Sequence, residues 1–204
     1  MRISKKKFIY LISPNNIYPR FYQDLKEVLK TGKVGLFQLR LKKYSFKQKI
    51  LIGKKIKQIC KKNGVKFLVN DDPILSKKLN ADGCHLGQKD MDLNEARKII
   101  GNKIIGITCH NSINLAKAAI KGKANYIAFG AFFKSPTKKT MYKANLALLR
   151  WAKKKINMRI VAIGGINSSN YKKILSNGAD FVACSSYVWN NKKLDPVSAM
   201  KKFR

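Results

Sequence analysis

Short runs rich in Ile, Val, Phe and Leu recur eight times along the chain, at 8–12, 34–39, 66–69, 82–86, 104–108, 125–130, 159–164 and 180–184. Between them lie amphipathic stretches with apolar positions at helical spacing, for example 45–62, 112–121 and 168–177. Several open on a Ser or Asn suited to capping a helix and close near a glycine, at Gly64, Gly122 and Gly178. Strands that alternate with helical patterns imply parallel strands joined by crossover helices. Eight such units predict an α/β fold, a compact (β/α)8 TIM barrel formed by residues 1–204 as a single domain. A doubly wound sheet is the alternative arrangement. The chain has 204 residues and 45% hydrophobic content, enough for one sizeable core, and no Pro-, Gly- or Ser-rich linker divides it.

Charge modifies this picture less than its size suggests. The formal net charge is +34, with 44 Lys and Arg against ten Asp and Glu. Only seven of the basic residues are Arg, and the lysines spread along the whole chain between apolar positions. That distribution predicts solvated outer helix faces. Specific nucleic-acid readers favour arginine within a recognisable module, so no specific nucleic-acid partner is expected. No run approaches the ~20 apolar residues of a membrane span. The basic start is followed by an apolar run too short for a secretion signal. Cys60, Cys84, Cys109 and Cys184 lie in or beside apolar segments without a C-x-x-C pair. They read as reduced, buried thiols of a soluble cytoplasmic protein.

The acids are more informative than the bases. Asp71, Asp72, Asp82, Asp90, Asp92 and Glu95 fall within one stretch of an otherwise acid-poor chain. Asp72 is placed to cap a helix, and Asp92 with Glu95 resembles a capping box. Asp71 and Asp90 end two neighbouring apolar runs. Two carboxylates on adjacent strand ends suit one hard divalent cation with oxygen ligands. In so basic a protein, such a site would in turn hold something anionic.

In a barrel, function gathers at the C-terminal ends of the strands. The second run ends in Gln38-Leu-Arg-Leu-Lys42, whose alternation places Gln38, Arg40 and Lys42 on one face, a set suited to a diphosphate. The third run ends in Asn70-Asp71, the fifth in Thr108-Cys-His110, and the sixth leads into Ser135-Pro-Thr-Lys-Lys139. The seventh ends in Gly164-Gly-Ile-Asn167 and is followed by what reads as a Ser-capped helix; the eighth ends in Cys184-Ser-Ser186. Glycines and backbone amides after strands 7 and 8 match the phosphate site common in these barrels. The two histidines, His85 and His110, read as structural or substrate-lining.

Six segments, in order, resemble those of the thiamine-phosphate synthase family: Gln38–Lys42, Val69-Asn-Asp-Asp72, Ala81-Asp-Gly-Cys-His-Leu-Gly-Gln-Lys-Asp90, Ser135–Lys139, Ala162-Ile-Gly-Gly-Ile-Asn167 and Gly178-Ala-Asp180. The resemblance implies a transferase of thiamine biosynthesis acting on phosphorylated small molecules. Such an enzyme joins 4-amino-2-methyl-5-hydroxymethylpyrimidine diphosphate to 4-methyl-5-(2-phosphoethyl)thiazole, or its carboxylated form, and releases pyrophosphate. By position it implies that Gln38, Arg40, Lys42, Asn70, Thr108 and Lys138 bind the pyrimidine diphosphate, with Arg40, Lys42 and Lys138 catalytic. It implies that Asp71 and Asp90 hold Mg2+, and that Ser135, Thr137, Gly165, Ser185 and Ser186 bind the thiazole phosphate. Three departures stand out: Leu41 in place of a usual Glu, Thr140-Met-Tyr-Lys-Ala-Asn145 in place of an acidic, glycine-containing stretch, and Phe129-Gly-Ala-Phe-Phe133 in place of a Gly-Pro-rich form. The alternative within this fold is a thiazole tautomerase or a noncatalytic relative. That branch carries a His after the strand-6 Gly and lacks the Thr-Lys pair, whereas this chain has Ala131 and keeps Thr137-Lys138.

Overall fold

The computed structural model describes residues 7–134 and 141–204. Eight parallel strands form one closed barrel in sequence order: β1 (Ile9–Ile12), β2 (Val34–Leu39), β3 (Lys66–Asn70), β4 (Gly83–Leu86), β5 (Ile104–His110), β6 (Tyr126–Gly130), β7 (Arg159–Ile163) and β8 (Phe181–Cys184). Pairing of β1 with β8, Ile9 opposite Val182, closes the sheet and rules out the doubly wound alternative. Helices α1 (Phe21–Lys30), α2 (Phe46–Lys62), α3 (Pro73–Lys78), α4 (Leu93–Ile100), α5 (Ile113–Lys121), α6 (Leu146–Lys155) and α7 (Tyr171–Ser176) follow the first seven strands. Two short helices, α8 (Ser186–Trp189) and α9 (Pro196–Lys201), follow the eighth. Among the described residues no helix is long and apolar enough to cross a membrane.

Every strand is covered on both faces, which is why its residues are apolar at consecutive positions. Ile9 and Leu11 of β1 face the helices, in a core shared with Phe21, Phe37, Phe67, Phe129 and Leu149. Tyr10 and Ile12 face the barrel interior with Leu36, Leu68, Tyr126, Ala128, Val161, Phe181 and Ala183. Successive side chains point to opposite faces, so each strand feeds both cores. The four cysteines are free and buried.

Caps anchor the helices largely where the sequence places them. Ser45 and Gln48 form a reciprocal capping box at α2; Ser112 caps α5 and Asp72 caps α3. Two ends differ from expectation. Asp92 accepts from the Asn94 N–H, so α4 is capped by that single bond rather than by a box with Glu95. Helix α7 is not Ser-capped: it starts at Tyr171, and the Ser168 hydroxyl bonds Tyr187 Oη at 2.6 Å instead.

The N-terminal end of the barrel is clamped by a repeated device. Asp82, Asn125 and Asp180 immediately precede β4, β6 and β8. Each accepts the backbone N–H of a residue in the preceding strand: Phe67 at 2.9 Å, Ile105 at 2.8 Å and Ile160 at 2.8 Å. A cation backs each one, Lys66 on Asp82, Arg97 on Asn125 and Arg159 on Asp180. Half-exposed ion pairs contribute little. The larger loss would be an N–H left without its acceptor, about 1–3 kcal/mol. Asp180→Ala is therefore expected to lower urea-unfolding stability by about that amount. Asp180→Asn, which keeps an oxygen in place, should lose less. Neither should alter turnover, because this end is remote from the strand C-termini.

Candidate active site

Four polar side chains occupy inward positions at the C-terminal ends of consecutive strands: Gln38 on β2, Asn70 on β3, His85 on β4 and Thr108 on β5. Asn70 lies opposite His85 in the parallel register. The corresponding positions of β1 and β6–β8 carry Ile12, Ala128, Ile163 and Ala183. One half of the mouth is thus polar and the other apolar.

The polar half carries the charged groups. Lys42, just beyond β2, approaches Asp71 Oδ2 at 3.4 Å. Asp71 adopts φ 64°, a left-handed conformation that Asp tolerates better than most residues, and its N–H donates to His85 O at 2.8 Å. Its carboxylate is near enough to Asp90 to act on that residue's charge. Asp90 Oδ2 also accepts the Gly87 N–H at 2.6 Å, which closes the loop after β4 on itself. Burial raises the Asp90 carboxyl above its ordinary range; the Gly87 N–H opposes this, the Asp71 carboxylate adds to it, and Lys42 opposes it. Two neighbouring carboxylates, one of them paired with a lysine, fit a bound hard cation. Among the described residues no group of three or more His, Cys, Asp and Glu side chains could hold a metal ion. Mg2+ commonly takes one or two carboxylates and completes its shell with phosphate oxygens and water. Beside Asp71 and Lys42 a cavity of ≈ 400 Å³ opens, lined also by Leu41, Lys49, Asn70 and Met91 among others. Leu41 is 3% exposed and belongs to the outer core, so the lysine beside it takes its orientation from Asp71 instead of from a neighbouring Glu. Arg40 is tethered to the loop after β1, its N–H on Ser13 Oγ at 2.9 Å and its guanidinium on Asn15 Oδ1 at 3.2 Å.

Beneath these groups runs a chain of hydrogen bonds that the sequence does not announce. Gln38 Nε2 donates to Tyr10 Oη at 2.7 Å, and Tyr10 Oη lies 2.8 Å from Tyr126 Oη. Tyr126 Oη lies 2.8 Å from His85 Nδ1, and His85 Nε2 lies 2.8 Å from Thr108 Oγ1. Gly106 stands opposite both His85 and Tyr126 in the register. A Cβ there would fall 1.8 Å from Tyr126 Cζ, so the absent side chain makes room for the tyrosine ring. Burial lowers the His85 ring to about 4, which keeps it neutral at ordinary pH. His110, the last residue of β5, stacks on Tyr142 with ring centroids 4.0 Å apart.

On the apolar half, Gly164 and Gly165 have φ of 106° and 63°. A Cβ on Gly165 would lie 2.3 Å from Lys134 O, so the pair lets the 131–134 segment lie directly on the end of β7. Phe133 N–H donates to Gly164 O at 3.0 Å across that contact. Ser185 bonds Ser13 O at 3.1 Å, and Ser186 opens α8, which Trp189 Nε1 ties to Ile12 O at 2.7 Å. Ser135, Thr137 and Lys138 lie outside the described residues.

A family model described as thiamine monophosphate synthase matches residues 9–188, nearly the whole barrel. The chain belongs to this family. It is 62% identical over 200 residues to a thiamine-phosphate synthase of Pelagibacter ubique (strain HTCC1062), covering 98% of this chain and 97% of that one. A second thiamine-phosphate synthase, from Erythrobacter litoralis (strain HTCC2594), is 40% identical over 196 residues, covering 94% and 92%. Among solved structures, thiamine phosphate pyrophosphorylase from Pyrococcus furiosus superposes with a TM-score of 0.86 at 29% identity, over 98% of this chain and 95% of that one.

Within the thiamine-phosphate synthase frame, the structure brings together Gln38, Asn70 and Thr108 in one polar layer and Lys42, Asp71 and Asp90 above it. It sets Gly165, Ser185 and Ser186 on the opposite half. Tyr10 and Tyr126 are the residues that sequence reasoning missed, because each sits inside an apolar run. The signal that could have exposed them is Gly106, a glycine within a strand, which marks a close approach.

Because Asp90 holds its proton to higher pH, a divalent cation bound at this pair would have to displace that proton. Mn2+ affinity is expected to rise with pH, about tenfold per unit below the Asp90 midpoint, and to level off above it. Asp71→Asn removes the neighbouring charge, so binding should weaken while its pH dependence flattens. Titration of Mn2+ by electron paramagnetic resonance over roughly pH 4–8 checks both. Stability of the cation-free fold follows the opposite sign. A carboxyl raised in the native state favours folding at low pH, and that contribution is lost as pH rises through its midpoint.

Proposed function

We propose that the polar half of the mouth binds the pyrimidine diphosphate and the glycine-rich half binds the thiazole phosphate. The chain then acts as a Mg2+-dependent thiamine-phosphate synthase that releases pyrophosphate. The observation that carries this reading is the Asp71–Asp90 pair under Lys42 at the edge of a layer formed by Gln38, Asn70 and Thr108. Mg2+ held there by Asp71 and Asp90 would neutralise diphosphate oxygens when bound. Arg40 and Lys42, with Lys138, stabilise the charge that develops on the departing diphosphate. Gln38, Asn70 and Thr108 supply polar partners for the pyrimidine. Gly165, Ser185 and Ser186, with Ser135 and Thr137, hold the thiazole phosphate by backbone amides and hydroxyls.

The carbon–oxygen bond to the diphosphate breaks, its electron pair leaves with pyrophosphate, and the thiazole ring nitrogen forms the new bond to the pyrimidine methylene. That nitrogen carries no proton, so the step needs no general base. A neutral His85 bonded on both nitrogens fits such a reaction, as it is committed to structure. Four buried, reduced thiols fit a cytoplasmic setting.

The test is product formation from both substrates with Mg2+, read by chromatography. Thiamine phosphate should form with Mg2+ and vanish with EDTA, and Asp71→Asn should lower turnover on the order of a hundredfold or more. Substrate binding without any product would favour a noncatalytic or tautomerase role. Turnover indifferent to both EDTA and Asp71→Asn would overturn the metal assignment.

A further inference from the structure

We infer that Tyr126 is a positioning residue that couples Gln38 to Thr108 through one polarised chain of hydrogen bonds, setting the His85 tautomer and with it the direction of the Thr108 hydroxyl. The ligand roles of the two ends rest on the function proposed above; the coupling itself does not.

Counting protons gives the direction. The Gln38 amide N–H donates to Tyr10 Oη, so the one Tyr10 proton is left for Tyr126 Oη. Tyr126 Oη, accepting from Tyr10, donates its own O–H to His85 Nδ1. A neutral ring that accepts at Nδ1 carries its proton on Nε2 and donates it to Thr108 Oγ1. The Thr108 proton is then directed away from His85. Each of Tyr10, Tyr126 and His85 donates once and accepts once along the chain, His85 accepting at Nδ1 and donating at Nε2. If the Gln38 amide were reversed, the same five residues would support the opposite chain, with the His85 proton on Nδ1. The two polarities are mutually exclusive along the whole chain.

The forward polarity suits a ligand that donates at one end and accepts at the other. Gln38 turns its nitrogen inward to Tyr10, which leaves the amide oxygen to accept; Thr108 leaves a hydroxyl proton to donate. An aminopyrimidine diphosphate offers an amino N–H and several acceptor atoms. The opposite polarity would set donor against donor at Gln38 and acceptor against acceptor at Thr108. Tyr126 is the joint of the chain: fully buried, stacked on His85 at 5.6 Å and edge-on to Tyr10 at 5.8 Å. Gly106 holds open the space for its ring.

The chain has two histidines, so nitrogen-15 NMR of histidine-labelled protein at neutral pH reads the His85 tautomer directly. In the wild type His85 should be a single Nε2–H tautomer. Tyr126→Phe removes the donor to Nδ1, so a tautomer mixture should appear. The KM for the pyrimidine diphosphate should rise about tenfold, while that for the thiazole phosphate stays unchanged. Gln38→Met, three hydrogen bonds from the ring, should also release the tautomer. This second variant serves if Tyr126→Phe does not fold. An Nδ1–H tautomer in the wild type would overturn the polarity. An unaltered tautomer in both variants, or both KM values rising together, would overturn the coupling. If the wild-type protein made no thiamine phosphate, the function reading would fail while the tautomer measurements still decided the coupling.

Discussion

A closed barrel of eight parallel strands must fill its own interior, and here two tyrosines do much of that filling. Tyr10 and Tyr126 reach across the axis and place their hydroxyls 2.8 Å apart inside an apolar layer. A buried hydroxyl without a partner costs a few kcal/mol, so this choice of filler demands a polar route out. The route runs upward, through Gln38 on one side and through His85 to Thr108 on the other. Packing at the centre of the barrel therefore dictates which polar atoms stand at its mouth. The glycine at position 106 is part of the same solution, since any side chain there would collide with the Tyr126 ring.

Above that layer, charge is arranged by contact between strand ends. Lys42 comes from the loop after β2, Asp71 from the end of β3 and Asp90 from the loop after β4. Parallel neighbours present these ends side by side, which is how residues far apart in the chain form one site. The like charges of Asp71 and Asp90 make the arrangement unfavourable when empty and suited to a cation. Across the mouth, Gly164 and Gly165 exchange side chains for closeness, admitting the 131–134 segment onto β7. The two halves thus use different physics: side-chain charge on one, exposed backbone on the other.

Much of this was legible in the sequence, for stated reasons. The eight apolar runs could be read because both strand faces are buried, so no alternation blurs them. Asp71 and Asp90 stood out because acids are scarce in this chain, and Asp72 caps α3 as its position before a helix implies. Ser168 misled, since a hydroxyl before an amphipathic stretch reads as a cap, yet Tyr187 from a distant segment claims it. Asp82 and Asp180 shared motifs with site residues while serving the opposite end of the barrel, where they hold strands together. The tyrosine chain was invisible because Tyr in an apolar run looks like core, and its meaning depends on a partner 116 positions away.

The central claim is that the Asp71–Asp90 pair holds a divalent cation that in turn holds the diphosphate. Anomalous diffraction from crystals grown with Mn2+ and pyrophosphate tests it most directly. The account predicts one metal peak between the two carboxylates, with pyrophosphate oxygens on the metal and Lys42 and Arg40 on the remaining charge. A metal peak elsewhere, or pyrophosphate bound on the Gly164–Gly165 side with the carboxylates untouched, would contradict it.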